Sequence, residues 1–175
     1  MHYVIGIVPP SPYRQRISEF QRRWPNNQTP GIVEPHITVK AQGGLTPDLS
    51  WIHPVIAACS TFPRFTAAIT VPKFFGDAVV YLGIASTSIH ALHRRLVNAI
   101  SPTPEMIARY FELDHYVPHV TLGQTMRGMT ALELRDMGYA ADEILRPFPT
   151  FDVTGVRIYQ EIDGRYEPFR DVPLA

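Results

Sequence analysis

Two short strings in this chain pair an imidazole with a hydroxyl at the same spacing. They read PHITV at 35–39 and PHVTL at 118–122. The β-branched and aliphatic residues around each histidine predict a β-strand. Residues two apart project from the same face of a strand, so His36 projects with Thr38 and His119 projects with Thr121. This duplicated pair predicts general acid–base chemistry on a phosphate, in which one imidazole serves each of two proton transfers.

Residues that follow each motif are candidates for binding the substrate. Strand alternation places Lys40 on the face of His36 and Thr38, where its ammonium would neutralise phosphate charge; alternatively, it sits in solvent at a strand end. The matching position in the second copy is Gly123, which would leave room instead. Gln124 points to the opposite face by strict alternation, but a strand end or a bulge would turn it toward the site. Lys40 and Gln124 are therefore the predicted substrate-binding residues.

Periodic segments recur in the same order around the two motifs. Strands are predicted at 2–8, within 32–42, and at 65–75, 78–85, 117–123, 151–161 and 166–172. Helices are predicted at 11–24, 49–60, 88–100 and 130–145. The number of residues that separates matching positions in the two halves of the chain grows in small steps along the sequence, as insertions in loops would produce. We predict one domain over 1–175 made of two intertwined pseudo-symmetric lobes, with equivalent strands side by side across a central cleft.

Composition narrows the class of ligand. The chain has 175 residues, of which 45% are hydrophobic, and its formal net charge is +0. A neutral chain is not expected to bind long duplex nucleic acid, whereas a local pocket for a short or terminal phosphate needs only a few donors. The single cysteine excludes an internal disulfide. No segment resembles a signal peptide or a membrane span, so a cytoplasmic protein is expected. A monomer is also expected.

Three other interpretations of the histidines remain open. Each could be a structural histidine that is hydrogen-bonded and inert. The pair could instead bind RNA or a nucleotide without turning it over. A metal-dependent hydrolase is a third possibility, which the absence of carboxylates beside the histidines disfavours. Separately, His90 and His93 have helical spacing that can chelate a metal, although a solvated helix face is the ordinary interpretation. No carboxylate or cysteine nearby completes such a set, so no metal and no cofactor is expected.

The two His-x-Thr strings resemble the signature of the 2H phosphoesterase superfamily, also called the 2′-5′ RNA ligase-like proteins. The tract at 117–124 is similar to its small bacterial branch. The resemblance implies a bilobal α+β fold, with a mainly antiparallel sheet in each lobe, helices packed outside and a central cleft. It also implies metal-independent chemistry on RNA ends, cyclic nucleotides or other small phosphodiesters. His36, Thr38, His119 and Thr121 would carry the motif roles, with His119 as base and His36 as acid; ligation would reverse that order.

Overall fold

The computed structural model describes residues 2–175. Within this range the strands are β1 (Tyr3–Ile7), β2 (Ile37–Lys40), β3 (Phe65–Phe75), β4 (Val79–Ala85), β5 (His119–Gln124), β6 (Thr150–Val153), β7 (Gly155–Ile162) and β8 (Arg165–Pro173). The α-helices are α1 (Ser11–Gln21), α2 (Ile52–Ser60), α3 (Thr87–Ile100), α4 (Pro104–Arg109) and α5 (Ala131–Ile144). Short 3-10 turns cover Thr29–Gly31, Leu113–His115 and Thr125–Arg127.

The strands form two four-stranded antiparallel sheets, ordered β2-β1-β7-β8 and β5-β4-β3-β6. The chain interleaves them, because β3 follows β2 in sequence but pairs with β4, and β7 returns late in the chain to pair with β1. The two motif strands, β2 and β5, are each the edge strand of their own sheet and contact each other. The predicted α+β class is therefore confirmed, and the interleaving explains how motifs far apart in sequence meet.

Buried side chains from both sheets and from helices α1, α2, α3 and α5 form one connected hydrophobic core. Helix α3 contributes the apolar face that the spacing of its hydrophobic residues predicts. Ile89, Leu92 and Leu96 lie on this face and are fully buried. Helix α3 contacts β2 and helix α1 contacts β5, so each motif strand is supported by one of the helices. Within residues 2–175, no helix has the length and hydropathy needed to cross a membrane.

Two predicted segments differ from the structure. The strand predicted at 151–161 is divided at Thr154, whose carbonyl accepts a hydrogen bond from the Leu174 N–H at 2.9 Å, and the two parts join different sheets. Residues 101–105 lie outside every predicted strand and helix, but helix α4 begins there. Its start is stabilised by Pro104 in the first turn and by the Thr103 hydroxyl, which accepts from the Met106 N–H at 3.3 Å.

Both motif strands carry a β-bulge directly after the His-x-Thr string. On β2, Val39 is the extra residue opposite β1, and on β5, Leu122 is the extra residue opposite β4. A bulge places two residues opposite one and redirects the side chains that follow it. The duplication thus extends to a backbone irregularity, and strict alternation stops applying at the residue after each threonine.

Candidate active site

The structure brings the two His-x-Thr pairs to one cavity of about 40 Å³, here called the motif cavity. His36, Thr38, His119 and Thr121 all line it and are all half-buried. The cavity is completed by Gln21, Thr29, Val33, Glu34 and Pro35. Because β2 and β5 are edge strands that contact each other, the residues at the start of each strand reach the same space.

Each histidine is held by the carbonyl of the residue two positions earlier. The Nδ1 of His36 donates to the Glu34 carbonyl at 2.9 Å, and the Nδ1 of His119 donates to the Val117 carbonyl at 2.6 Å. A carbonyl only accepts, so this contact places the proton of a neutral ring on Nδ1 and leaves Nε2 as the basic nitrogen. The Nε2 of His36 lies 3.1 Å from the Thr38 hydroxyl. Both rings therefore present the same nitrogen for proton transfer.

Burial lowers the pKa of both imidazoles below the ordinary value of 6.5. The carbonyl bound to each Nδ1 opposes this shift, since it stabilises the charged ring. A charge on His119 lowers the pKa of His36 further, so the two groups interact across the cavity. The first proton to bind therefore disfavours the second, and a state with one charged and one neutral ring becomes accessible.

Residues outside the motif fix the orientation of the His36 ring. The ring of Tyr159 lies 5.3 Å from it, centroid to centroid, and the Tyr159 hydroxyl donates to the Glu34 carboxylate at 2.9 Å. A Cβ at Gly6 would lie 3.0 Å from the Cδ2 of His36 and 3.3 Å from the Cε2 of Tyr159, so the glycine leaves room for both rings. No local sequence pattern predicts these positioning residues, because each comes from a different strand or loop of the sheet.

Two aromatic rings support the His119 imidazole. Phe75 meets it edge-on with centroids 5.2 Å apart, and Tyr81 lies 5.1 Å away. The two aromatic rings also stack on each other at 4.2 Å. Phe75 ends β3 and Tyr81 lies on β4, so this support comes from the sheet that contains His119.

The structure places Lys40 outside the motif cavity and inside the core. Its side chain is fully buried, and its ammonium lies 2.8 Å from the Glu112 carboxylate. It also donates to the carbonyls of Ala41, at 2.8 Å, and Gly43, at 2.6 Å. All three N–H donors are thus used within the protein. The expected placement beside His36 and Thr38 fails because the Val39 bulge redirects the side chain that follows it.

The Leu122 bulge has the opposite consequence for Gln124. Gln124 lines a second cavity of about 250 Å³ together with His36 and Thr38, whereas strict alternation would point it away. Gly123 does not provide space in the cleft. A Cβ there would lie 3.0 Å from the Met137 Sδ of helix α5, so the missing side chain accommodates that helix.

A larger cavity of about 440 Å³ adjoins the motif cavity on another side. Thr38 and His119 line both of them. The other lining residues are mostly apolar or aromatic: Val39, Lys40, Ala41, Phe75, Val79, His93, Tyr110, Phe111, Glu112, His115, Tyr116 and Val117. The paired histidines thus lie between an apolar cavity and the more polar cavity that contains Gln124.

The helical pair His90 and His93 does not form a metal site. His93 is buried, its Nδ1 donates to the Val39 carbonyl at 2.8 Å, and its Nε2 accepts from the Leu113 N–H at 2.8 Å. Both ring nitrogens are therefore occupied by the backbone. Across residues 2–175, no group of three or more histidine, cysteine, aspartate or glutamate side chains is arranged to hold a metal ion.

These features define an α+β protein with paired His-x-Thr motifs in a shared cleft. The sequence profile of the 2′-5′ RNA ligase superfamily matches residues 8–165, and the chain belongs to this superfamily. Membership indicates an enzyme of the phosphoesterase or RNA ligase type. A comparison with curated protein sequences finds no significant match.

Solved structures share this fold along nearly their whole length. TT0787 of Thermus thermophilus is 14% identical with a TM-score of 0.70, and the alignment covers 99% of this chain and 98% of that chain. E. coli LigT complexed with 3′-AMP is 19% identical with a TM-score of 0.62, covering 99% and 97%. A protein described as a phosphoesterase is 16% identical with a TM-score of 0.65, also covering 99% and 97%. At these identities, the likeness is one of fold.

Proposed function

We propose that this chain is a metal-independent phosphoesterase that acts on cyclic or 2′-linked phosphodiesters of RNA ends or nucleotides. The observation that carries the proposal is the shared motif cavity, in which His36 and His119 are each held through Nδ1 by a backbone carbonyl. Small nucleotides are a reasonable substrate class, since the structurally similar E. coli LigT has been solved with 3′-AMP, with NADP+ and with phosphate.

The proposed hydrolysis transfers two protons between named atoms. The Nε2 of His119 takes a proton from water as the water oxygen bonds to phosphorus. The bond from phosphorus to the leaving oxygen breaks, and the protonated Nε2 of His36 donates its proton to that oxygen. The hydroxyls of Thr38 and Thr121 donate to non-bridging phosphate oxygens and stabilise their developing charge. In the ligation direction, the two histidines exchange roles.

Hydrolysis of adenosine 2′,3′-cyclic phosphate in the presence of a chelator tests this proposal. Replacing either catalytic imidazole, as in His36→Ala or His119→Ala, should lower kcat/KM by about 10²–10⁴-fold, the usual contribution of general acid–base catalysis. His53→Ala is the matched control, because His53 is exposed on α2 and does not line the motif cavity. Circular dichroism should show that each variant keeps the wild-type fold.

The pH profile provides a second readout of the same assignment. Turnover needs one neutral and one protonated ring, and burial lowers the pKa of both below 6.5. We therefore expect a bell-shaped dependence of kcat/KM whose maximum lies on the acid side of 6.5. Replacing His36 or His119 should remove one limb of the bell from any residual activity.

Each alternative has its own outcome in these assays. Full activity in both alanine variants would show that the acid–base assignment is wrong. Binding of 3′-AMP without turnover of any phosphodiester in a broad panel would favour a non-catalytic nucleotide-binding module. Loss of turnover with chelator and recovery with a divalent ion would favour a metal-dependent hydrolase.

A further inference from the structure

The cavity of about 250 Å³ beside the motif cavity has the chemistry of an anion site; we call it the donor pocket. It shares Thr29, Val33, His36 and Thr38 with the motif cavity, so a ligand can extend from one into the other. Its remaining lining residues are Val4, Ile32, Gln42, Gln124, Arg127 and Tyr166. Among the described residues that line it, Arg127 is the only charged side chain outside the histidine motif, and there is no carboxylate.

The Arg127 guanidinium has no partner among the described residues, although its side chain is half-buried. The other half-buried arginines all have partners: Arg14 pairs with Glu34, Arg16 donates to the carbonyls of Ile144 and Arg146, and Arg157 pairs with Glu34 and Asp171. A guanidinium that is partly desolvated and unpaired beside a cavity is well suited to bind an anion, since its planar donors match two oxygens of a phosphate.

Two further donors line the same pocket. The Tyr166 hydroxyl accepts a hydrogen bond from the Gln42 amide, so its own proton remains available for a ligand. Burial and, after it, the charge of Glu161 raise the pKa of Tyr166, which keeps that proton in place at neutral pH; the hydrogen bond from Gln42 and the charge of Arg127 act in the opposite direction. The Gln124 side-chain amide has no hydrogen-bond partner among residues 2–175 and can also donate.

We propose that the donor pocket binds a second phosphate of the substrate, on the His36 side of the phosphodiester that reacts. This inference rests on the proposed function for the position of the reacting phosphodiester, and it narrows the substrate class. The preferred substrate carries two separate phosphates, as an RNA end or a nucleoside bisphosphate does. A cyclic mononucleotide carries a single phosphate, which would take the motif cavity and leave Arg127 without an anionic ligand.

Equilibrium binding tests the donor pocket independently of catalysis. Dissociation constants for 3′-AMP and adenosine 3′,5′-bisphosphate are measured by calorimetry at one fixed ionic strength. Wild type should bind the bisphosphate at least about tenfold more tightly, the effect of one charge-assisted hydrogen bond. In Arg127→Gln the ratio of the two constants should fall toward one, and in Tyr166→Phe it should fall by about two- to tenfold.

Arg135→Gln is the matched control, because it removes the same charge from an exposed position on α5. Equal loss of the ratio in Arg135→Gln and Arg127→Gln would mean that net charge, not the donor pocket, selects the bisphosphate. A wild-type ratio near one would also overturn the inference. Since the readout is binding, an absence of turnover counts against the proposed function alone.

Measurements of turnover distinguish whether the second phosphate comes from a mononucleotide or from an RNA end. They compare the cyclic mononucleotide, the same nucleotide carrying a 5′-phosphate, and a dinucleotide with a cyclic end. A higher kcat/KM for both larger substrates supports a general phosphate subsite, and a higher value for the dinucleotide alone supports an RNA end. In either case, Arg127→Gln should reduce the advantage; an advantage that survives in this variant would contradict the assignment.

Discussion

Replacing Lys40 should destabilise the protein through the core. Its ammonium and the Glu112 carboxylate are both almost fully buried and lie 2.8 Å apart. In Lys40→Met the carboxylate loses its charged partner and keeps only the hydrogen bond from the Ala41 N–H, at 3.1 Å. Two carbonyls, of Ala41 and Gly43, lose their donor. Breaking one side of a buried ion pair costs about 3–5 kcal/mol, because an uncompensated charge stays inside. We therefore expect the free energy of unfolding to fall by about that amount.

Urea unfolding monitored by circular dichroism measures this loss. The double variant Lys40→Met with Glu112→Gln removes both charges and should recover most of it, leaving a deficit of about 1–2 kcal/mol for the two carbonyls. Lys73→Met is the matched control, because the Lys73 side chain is exposed on β3. If Lys40→Met is as stable as Lys73→Met but binds 3′-AMP weakly, Lys40 contacts the ligand and our structural account of it is wrong.

Two further predictions concern stability at acid pH and the position of a catalytic ring. Burial lowers the pKa of His93 to about 4 in the folded protein. The contribution of the neutral His93 to the free energy of unfolding is therefore complete above about pH 6.5 and is lost as the pH falls toward 4. Protonation of His93 should lower the free energy of unfolding by up to about 3 kcal/mol. The variant His93→Leu, although less stable at pH 7, should lack this part of the dependence of unfolding free energy on pH. An unchanged pH dependence in that variant would contradict the assignment. Gly6→Ala should displace the His36 ring and reduce kcat/KM by at least about tenfold with a modest loss of stability. Gly31→Ala, where a Cβ meets no atom within 4 Å, should retain wild-type activity, and equal activity in both variants would show that Gly6 does not position the ring.

The amino-acid sequence predicts the local elements of this fold well. The hairpin of β3 and β4 and the helix α3 lie within one or two residues of their predicted bounds. These elements depend on the period of apolar residues and on turn residues such as Gly76, which are local properties of the chain. The His-x-Thr duplication is local in the same sense, and it is sufficient to identify four of the nine residues that line the motif cavity.

The sequence did not predict where the strand alternation fails. Lys40 and Gln124 follow their motifs at nearly the same distance, yet one is buried against Glu112 and the other lines the donor pocket. The bulges at Val39 and Leu122 cause this difference, and they depend on pairing with β1 and β4. Pairing partners are set by long-range contacts, so no window of neighbouring residues contains that information.

What the sequence by itself determined is the chemical content of the site: two imidazoles and two hydroxyls, each pair on one face of a strand. What only the tertiary structure decided is which distant groups join them, including the Arg127 guanidinium, the Tyr166 hydroxyl and the Tyr159 ring beside His36. The physical reason is that side-chain period is a property of the local backbone. The meeting of two sheet edges instead results from burying a core shared by distant segments.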